Sequence, residues 1–173
     1  MAVIPLAAGV IDDLQAAAGG NVGIAGVFNG CEYVSSTTGE KIFSNYWPGS
    51  GADSNFPVKA FLYDNPNQLF TVCTSNVVSA ANTEAEVRAA VFANIAFATG
   101  NSGSTTTGIS TATADLNTIA TTNTLALRIM GVQDDPENSD FTAAGIPLIV
   151  RINNHFNAPT GSIAAATVST TGV

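Results

Sequence analysis

Residues 134–140 (DDPENSD) hold the densest cluster of carboxylates in the chain, and such a cluster can bind a metal ion. Flexible loops rich in oxygen ligands bind Ca²⁺, which takes about six to eight of them. The spacing of an EF-hand loop is absent, because no glycine stands at its turn position and no glutamate closes it. Asp and Asn side chains also cap solvated turns, so we interpret the segment as a surface turn, with calcium binding as the weaker alternative. The four candidate ligands are Asp134, Asp135, Glu137 and Asp140.

His155 is the only histidine, so a Ser–His–Asp hydrolase site would need it as the general base. No G-x-S-x-G segment presents a serine, and residues 100–103 (GNSG) have the wrong spacing. A histidine without an evident partner at the end of a strand is typically a hydrogen-bonding structural residue. We therefore predict a structural or interface role for His155. We also predict that the protein is not an enzyme and uses no cofactor.

Two further sets of residues could bind a ligand. Tyr46 and Trp47 could form a platform for stacking against a sugar, although aromatic residues beside Pro48 more often fill the end of a β-structure. Cys31 and Cys73 form no CxxC motif or His/Cys cluster, which excludes a zinc site on ligand count. In a reducing cytoplasm we expect two buried free thiols, with a disulfide formed later outside the cell as the alternative.

The charge balance excludes several classes of partner. Charged residues make up 10% of the chain, far below the roughly 25% usual in soluble domains, and a surface poor in charge suits permanent contact with other protein. The net charge is −8, and the five basic residues are scattered, so no patch for nucleic acid is predicted.

The most apolar run, residues 89–98, is about half of a membrane span, and the N-terminus is a poor signal peptide. We expect assembly in a cytoplasm.

The elements that must position these residues are mostly strands. Residues 26–48 (GVFNGCEYVSSTTGEKIFSNYWP) alternate apolar and polar positions on both sides of a turn that contains Gly39, which predicts a β-hairpin. Its first half is either two strands or one long strand with a bulge at Gly30. The other predicted strands are 57–63, 69–75, 124–132 and 146–153, and the second hairpin strand is 42–47.

One segment is compatible with either helix or strand. Thr83 and Glu86 fit a capping box, after which Val87, Val91 and Ile95 would stack on one helix face. The alternative is a strand, because residues 91–97 also suit a sheet. Residues 99–114 form a loop rich in Gly, Ser and Thr.

Together these elements predict a mainly β, single-domain antiparallel β-barrel or β-sandwich with at most one or two short helices and extended terminal arms. The expected organisation is an N-terminal arm over 1–21, a β domain over 22–157 and a C-terminal arm over 158–173. The predicted core consists of Val27, Phe28, Tyr33, Phe43, Trp47, Phe61, Phe70, Leu127, Ile129, Leu148 and Val150.

The hairpin block also carries a resemblance. The segments GVFNGCEYV (26–34), SNYWP (44–48), YDNP (63–66) and LIVRINNH (148–155) resemble a family of small structural proteins of tailed bacteriophages. Members of this family are taken to be decoration or cement proteins of the capsid. The resemblance spans most of residues 22–157, and none of its motifs is catalytic.

The resemblance implies a virion protein on the capsid surface that bridges neighbouring subunits of the major capsid protein and self-associates there as a trimer or dimer. A carbohydrate- or receptor-binding β-module of the virion is the alternative. The expected interface residues are Val3, Ile4, Leu6, Tyr46, Trp47, His155 and Phe156. The apolar termini are expected to become ordered only against neighbouring subunits, by adding strands to an exposed sheet edge.

Overall fold

The computed structural model describes residues 2–5, 11–13, 24–75, 83–98, 103–104, 107, 109–122, 124–134, 136 and 140–158. Within these residues the chain forms two antiparallel β-sheets and one short α-helix, and the sheets are not closed into a barrel. The predicted mainly β fold is therefore confirmed in its sandwich-like form. The strands are β1 (Ala2–Pro5), β2 (Ile11–Asp13), β3 (Gly26–Val34), β4 (Lys41–Ser44), β5 (Lys59–Tyr63), β6 (Leu69–Cys73), β7 (Asn94–Phe97), β8 (Ala114–Ala120), β9 (Leu127–Val132) and β10 (Pro147–Ile152).

The first sheet is built around β3. Strand β5 pairs with one side of β3, while β1 and β4 pair with the two ends of its other side, and β2 extends the sheet beyond β1. The register against β5 shifts between Phe28 and Gly30, which confirms one bent strand with a bulge. Gly39 closes the β3–β4 turn with a φ of +72°, as its place in the predicted hairpin requires.

Two glycines let the strands of the first sheet approach closely. Gly26 and Gly30 have φ angles of +154° and +150°, in a region that side chains disfavour. A Cβ at Gly30 would lie 2.8 Å from the carbonyl oxygen of Ser44, and one at Gly26 would overlap the carbonyl oxygen of Tyr63. Both positions therefore need glycine on grounds of space as well as conformation.

The second sheet has the strand order β6–β10–β9–β7–β8 and contains most of the core. Alternate residues point inward and are buried in the first half of β9 (Leu127 and Ile129) and along β10 (Leu148, Val150 and Ile152). The buried apolar side chains are Ile24, Val87, Ala90, Ile95, Ala114, Leu116, Leu127, Ile129, Ile146, Leu148, Val150 and Ile152. The second sheet thus supplies most of the packed core of the described fold.

Helix α1 (Glu84–Ala89) contributes Val87 to this core. Its predicted capping box is present, since the Thr83 hydroxyl accepts from the Glu86 N–H and the Glu86 carboxylate accepts from the Thr83 N–H. The prediction that Val87, Val91 and Ile95 stack on one helix face is wrong, because the helix ends at Ala89 and Ile95 lies in β7. The sequence left helix and strand as alternatives for this segment, and the structure contains both, the helix first and then strand β7. No described helix is long and apolar enough to cross a membrane.

The six predicted strands are present, and all except β3 differ from the prediction by one to three residues at one or both ends. Strand β4 shows the largest change, because it stops at Ser44 rather than Trp47. Strand β8 was not predicted, since small and polar residues dominate ADLNTIA. The prediction over 26–34 matches β3 at both ends.

The predicted core is right for the second sheet and wrong for much of the first. Leu127, Ile129, Leu148 and Val150 are buried, and Val27 and Phe70 are partly buried and pack against the core cluster to which they belong. Phe28 and Tyr33 are half-buried. In contrast, the side chains of three predicted core aromatics are exposed, with fractions of 68% for Phe43, 55% for Trp47 and 43% for Phe61.

Candidate interaction surface

One face of the first sheet presents aromatic side chains to solvent. Phe43 of β4 and Lys59 of β5 both pair with Glu32 of β3, so these three side chains share a face. Because side chains alternate along a strand, Phe61 and Tyr63 lie on the same face as Lys59. We call this surface, defined by Phe43, Phe61 and Tyr63, the aromatic face. Tyr63 is 51% exposed, so all three aromatic rings contact solvent.

Gly30 is part of the reason for this exposure. It is the residue of β3 that lies opposite Phe61, so no side chain covers the ring from the neighbouring strand. The bulge at this point also twists β3 locally. The same glycine that lets β4 approach β3 therefore leaves the Phe61 ring exposed to solvent.

The charged residues of the aromatic face are paired with each other. The Glu32 carboxylate accepts from the ammonium group of Lys41 at 2.7 Å, and the ammonium group of Lys59 lies 4.0 Å from the same oxygen. The hydrogen bond from Lys41 lowers the pKa of Glu32, with smaller contributions from the charges of both lysines. The face thus carries two cations and one anion on a protein whose net charge is −8.

The opposite face of the first sheet is more enclosed. Cys31 is buried and its thiol donates to the carbonyl oxygen of Tyr46 at 3.3 Å. Burial raises the pKa of this thiol, so it is the less reactive of the two cysteines by environment. Cys73 is exposed, which corrects the expectation of two buried thiols, and both thiols are free. Cys73 is exposed because it alternates with Val72, which packs against the core.

The loop between β4 and β5 adds further exposed aromatic rings. Tyr46, Trp47 and Phe56 have exposed fractions of 38%, 55% and 51%. The loop is fixed to the hairpin, since the Ser36 N–H donates to the carbonyl oxygen of Gly51 and the Asp53 N–H donates to that of Val34. The aromatic side chains are therefore held on an ordered loop beside the first sheet.

His155 has no surface role in the structure. Its imidazole is 0% exposed, and Nδ1 accepts from the Asn157 N–H at 3.0 Å. The backbone around it bonds to Ile24, which joins this segment to the start of β3. Burial lowers the pKa of His155, against a smaller opposing effect from the charge of Asp64. The buried side chain of His155 thus cannot take the expected interface role. The side chain of Phe156 can, because it is 46% exposed.

The remaining candidate residues are separated. Val3 and Ile4 lie in β1, and Leu6 lies outside the described residues. Because β1 pairs with β3 of the same chain, the expectation that the N-terminal segment becomes ordered only against a neighbouring subunit is wrong for these residues. Asp134 bonds to Arg88 at 2.9 Å and Asp140 accepts from the Thr142 N–H at 2.8 Å. The hydrogen bonds from Thr142 lower the pKa of Asp140. Asp135 and Glu137 are outside the described residues, among which no group of three or more potential metal ligands occurs.

The sequence contained a signal for the aromatic face that the core prediction overlooked. In β5 (KAFLY), Phe61 and Tyr63 are in phase with Lys59, whereas Leu62 is in phase with Ala60. A lysine marks the solvent side of a strand, so the aromatic residues in its phase belong to the surface.

Comparisons with protein-family models, curated proteins and solved structures gave no match for this chain.

Proposed function

We propose that this protein is a structural protein of a tailed-phage virion that binds the outside of the capsid and cements neighbouring subunits of the major capsid protein. The aromatic face is the proposed contact. The observation that carries the proposal is the exposure of Phe43, Phe61 and Tyr63 together on one face of an ordered sheet.

Several physical features support a protein partner for this face. Single exposed apolar residues are ordinary, whereas several on one face of a sheet are typical of an interaction site. Aromatic residues are enriched at interface centres, and charged residues are depleted there. Since Glu32 is already paired with Lys41 and Lys59, the face can be covered without burying an unpaired carboxylate.

The resemblance supports the choice of a capsid as the partner. Its SNYWP segment (44–48) includes Tyr46 and Trp47, whose side chains are exposed beside the first sheet. A protein that binds only the assembled shell stabilises the shell by mass action. On a symmetric lattice the same contact repeats at equivalent positions, which suits the proposed self-association as a trimer or dimer.

The aromatic face can be tested with the double variant Phe43→Ser, Phe61→Ser. Both side chains are exposed, so we expect an unchanged far-UV spectrum and little change in melting temperature. Co-sedimentation with undecorated capsids should be lost. Ile109→Ser is the matched control, because Ile109 is 65% exposed but lies outside the first sheet. Full capsid binding by the folded double variant would refute the role of the aromatic face.

A carbohydrate- or receptor-binding module is the second candidate, favoured by one observation. Trp47 is 55% exposed next to the exposed Tyr46, as stacking against a sugar ring would require. Binding to a glycan array that Trp47→Ala abolishes, without co-sedimentation of the wild type with capsids, would select this function over the first.

A further inference from the structure

Two of the five basic residues have no ion pair among the described residues. Lys41 and Lys59 contact Glu32, and Arg88 contacts both Glu84 and Asp134. The two remaining cations are Arg128 and Arg151. The chain has thirteen acidic residues, and none of the described carboxylates forms an ion pair with either of these two arginines.

The two arginines lie side by side. Arg128 of β9 and Arg151 of β10 are direct partners in the strand register, which places their side chains on one face of the second sheet. The residues that flank them, Leu127, Ile129, Val150 and Ile152, are buried in the core. Because side chains alternate, Arg128 and Arg151 belong to the outer face. Like charges that lie directly opposite each other on adjacent strands are destabilising unless an anion joins them.

An exposed aromatic ring completes this surface. The guanidinium carbon of Arg128 lies 5.9 Å from the ring centroid of Phe92, which is within the range of a cation–π contact. Phe92 is 62% exposed and has a φ of +73°, where a bulky residue costs conformational energy. Nε of Arg128 is buried and has no hydrogen-bond partner in the described part of the chain. We call Phe92, Arg128 and Arg151 the arginine patch.

We propose that the arginine patch binds carboxylate side chains of a second copy of this chain. The charge distribution selects this occupant. Each copy has two adjacent arginines without an ion pair in the described chain, and the rest of the copy carries −10, since −8 minus +2 is −10. Arginine binds carboxylates through two parallel hydrogen bonds, and aromatic and Arg side chains dominate the energy of many interfaces.

The arginine patch of one copy contacts an acidic surface of the other copy and not the same patch. A two-fold contact centred on the arginine patch would bring four arginines together, which like-charge repulsion disfavours. A contact between two different surfaces can close into a dimer or a ring, or extend into an array. The aromatic face belongs to the first sheet, so one copy can engage a capsid and a neighbouring copy at the same time. The self-contact does not depend on the proposed capsid contact.

Sedimentation velocity of the free protein, without capsids, tests the proposal. We expect the sedimentation coefficient of the wild type to rise with protein concentration at about 50 mM salt and much less at about 500 mM, where charges are screened. The double variant Arg128→Gln, Arg151→Gln should weaken association by at least about tenfold. The control Arg88→Glu reaches the same net charge of −10 outside the patch and should associate like the wild type.

A second variant separates binding from folding. Phe92→Gly relieves the strained backbone and removes the ring, so it should fold at least as well as the wild type and still associate more weakly. A wild type that stays monomeric up to the millimolar range overturns the proposal, as does association that survives the folded double variant. Binding of a hexaglutamate peptide to the patch of a monomeric wild type would show that another protein supplies the carboxylate, and this also overturns the second copy as occupant.

Discussion

The two sheets are made from similar alternating sequences, but they use their apolar side chains differently. In the second sheet, Ile129 and Leu148 are 0% exposed, because α1 and the segments around Ile24 and Ile146 contribute to a common core. In the first sheet, Phe43 and Phe61 alternate as regularly and remain exposed. Alternation therefore determines which residues share a face, whereas the packing of other elements determines which face becomes the core.

The difference between the sheets predicts very different costs for truncation. Ile129→Ala in β9 should lower the free energy of unfolding by about 2–5 kcal/mol, the range for large-to-small changes in a packed core. The measurement is urea denaturation followed by far-UV circular dichroism. A cost near zero would mean that the buried cluster of the second sheet is not the stabilising core.

Close strand approach should make glycine essential at one point of the first sheet. Gly30→Ala should destabilise by about 1–3 kcal/mol, because its Cβ would lie 2.8 Å from the Ser44 carbonyl oxygen at a φ of +150°. Gly131→Ala in β9 is the control, since its Cβ would meet only a side-chain carbon at 3.9 Å. Equal melting temperatures for the two variants would contradict the close approach of β4 to the bulge.

His155 links the second sheet to the start of β3, so its titration reports on the junction between the two sheets. Burial lowers its folded-state pKa below the value of about 6.5 expected in the unfolded chain. The unfolded state then binds more protons, so stability should fall as the pH decreases through about 6.5 and level off below the folded-state pKa. Melting temperature should decrease from about pH 8 to about pH 5 in the wild type. A His155→Gln variant with the same slope would assign the dependence to other groups.

Helix α1 covers part of the core of the second sheet, and its capping box should contribute measurably to the free energy of unfolding. Thr83→Ala removes the acceptor for the Glu86 N–H and should cost about 1 kcal/mol. Thr83→Ser, which keeps the hydroxyl, should retain most of the stability. Loss of the same amount in both variants would show that the methyl group, and not the cap, is responsible.

The smallest effect is expected on the aromatic face. Phe43→Ala should change the free energy of unfolding by no more than about 0.5 kcal/mol, because the ring is 68% exposed. The same urea denaturation used for Ile129→Ala gives a direct comparison. A cost of several kcal/mol would mean that Phe43 is covered in solution, and the contrast between the sheets would disappear.

The sequence alone determined most of the strands of the described fold and the turn of the first hairpin. Residues 26–34 match β3 at both ends, the bulge falls at Gly30, and Gly39 lies in the hairpin turn. The capping box at Thr83 and Glu86 is also present. These features depend on neighbouring residues, through side-chain alternation, positive φ angles and local hydrogen bonds, so a linear pattern contains them.

Only the tertiary structure decided which apolar residues form the core and which form a surface. Large aromatic residues are typical of a core, yet Phe43, Trp47 and Phe61 are exposed, because no element of the described fold covers them. The pairing of Arg128 with Arg151 is likewise invisible in the sequence, because it requires the register of β9 against β10. Burial and register join residues that are distant in the chain, and no local pattern specifies them.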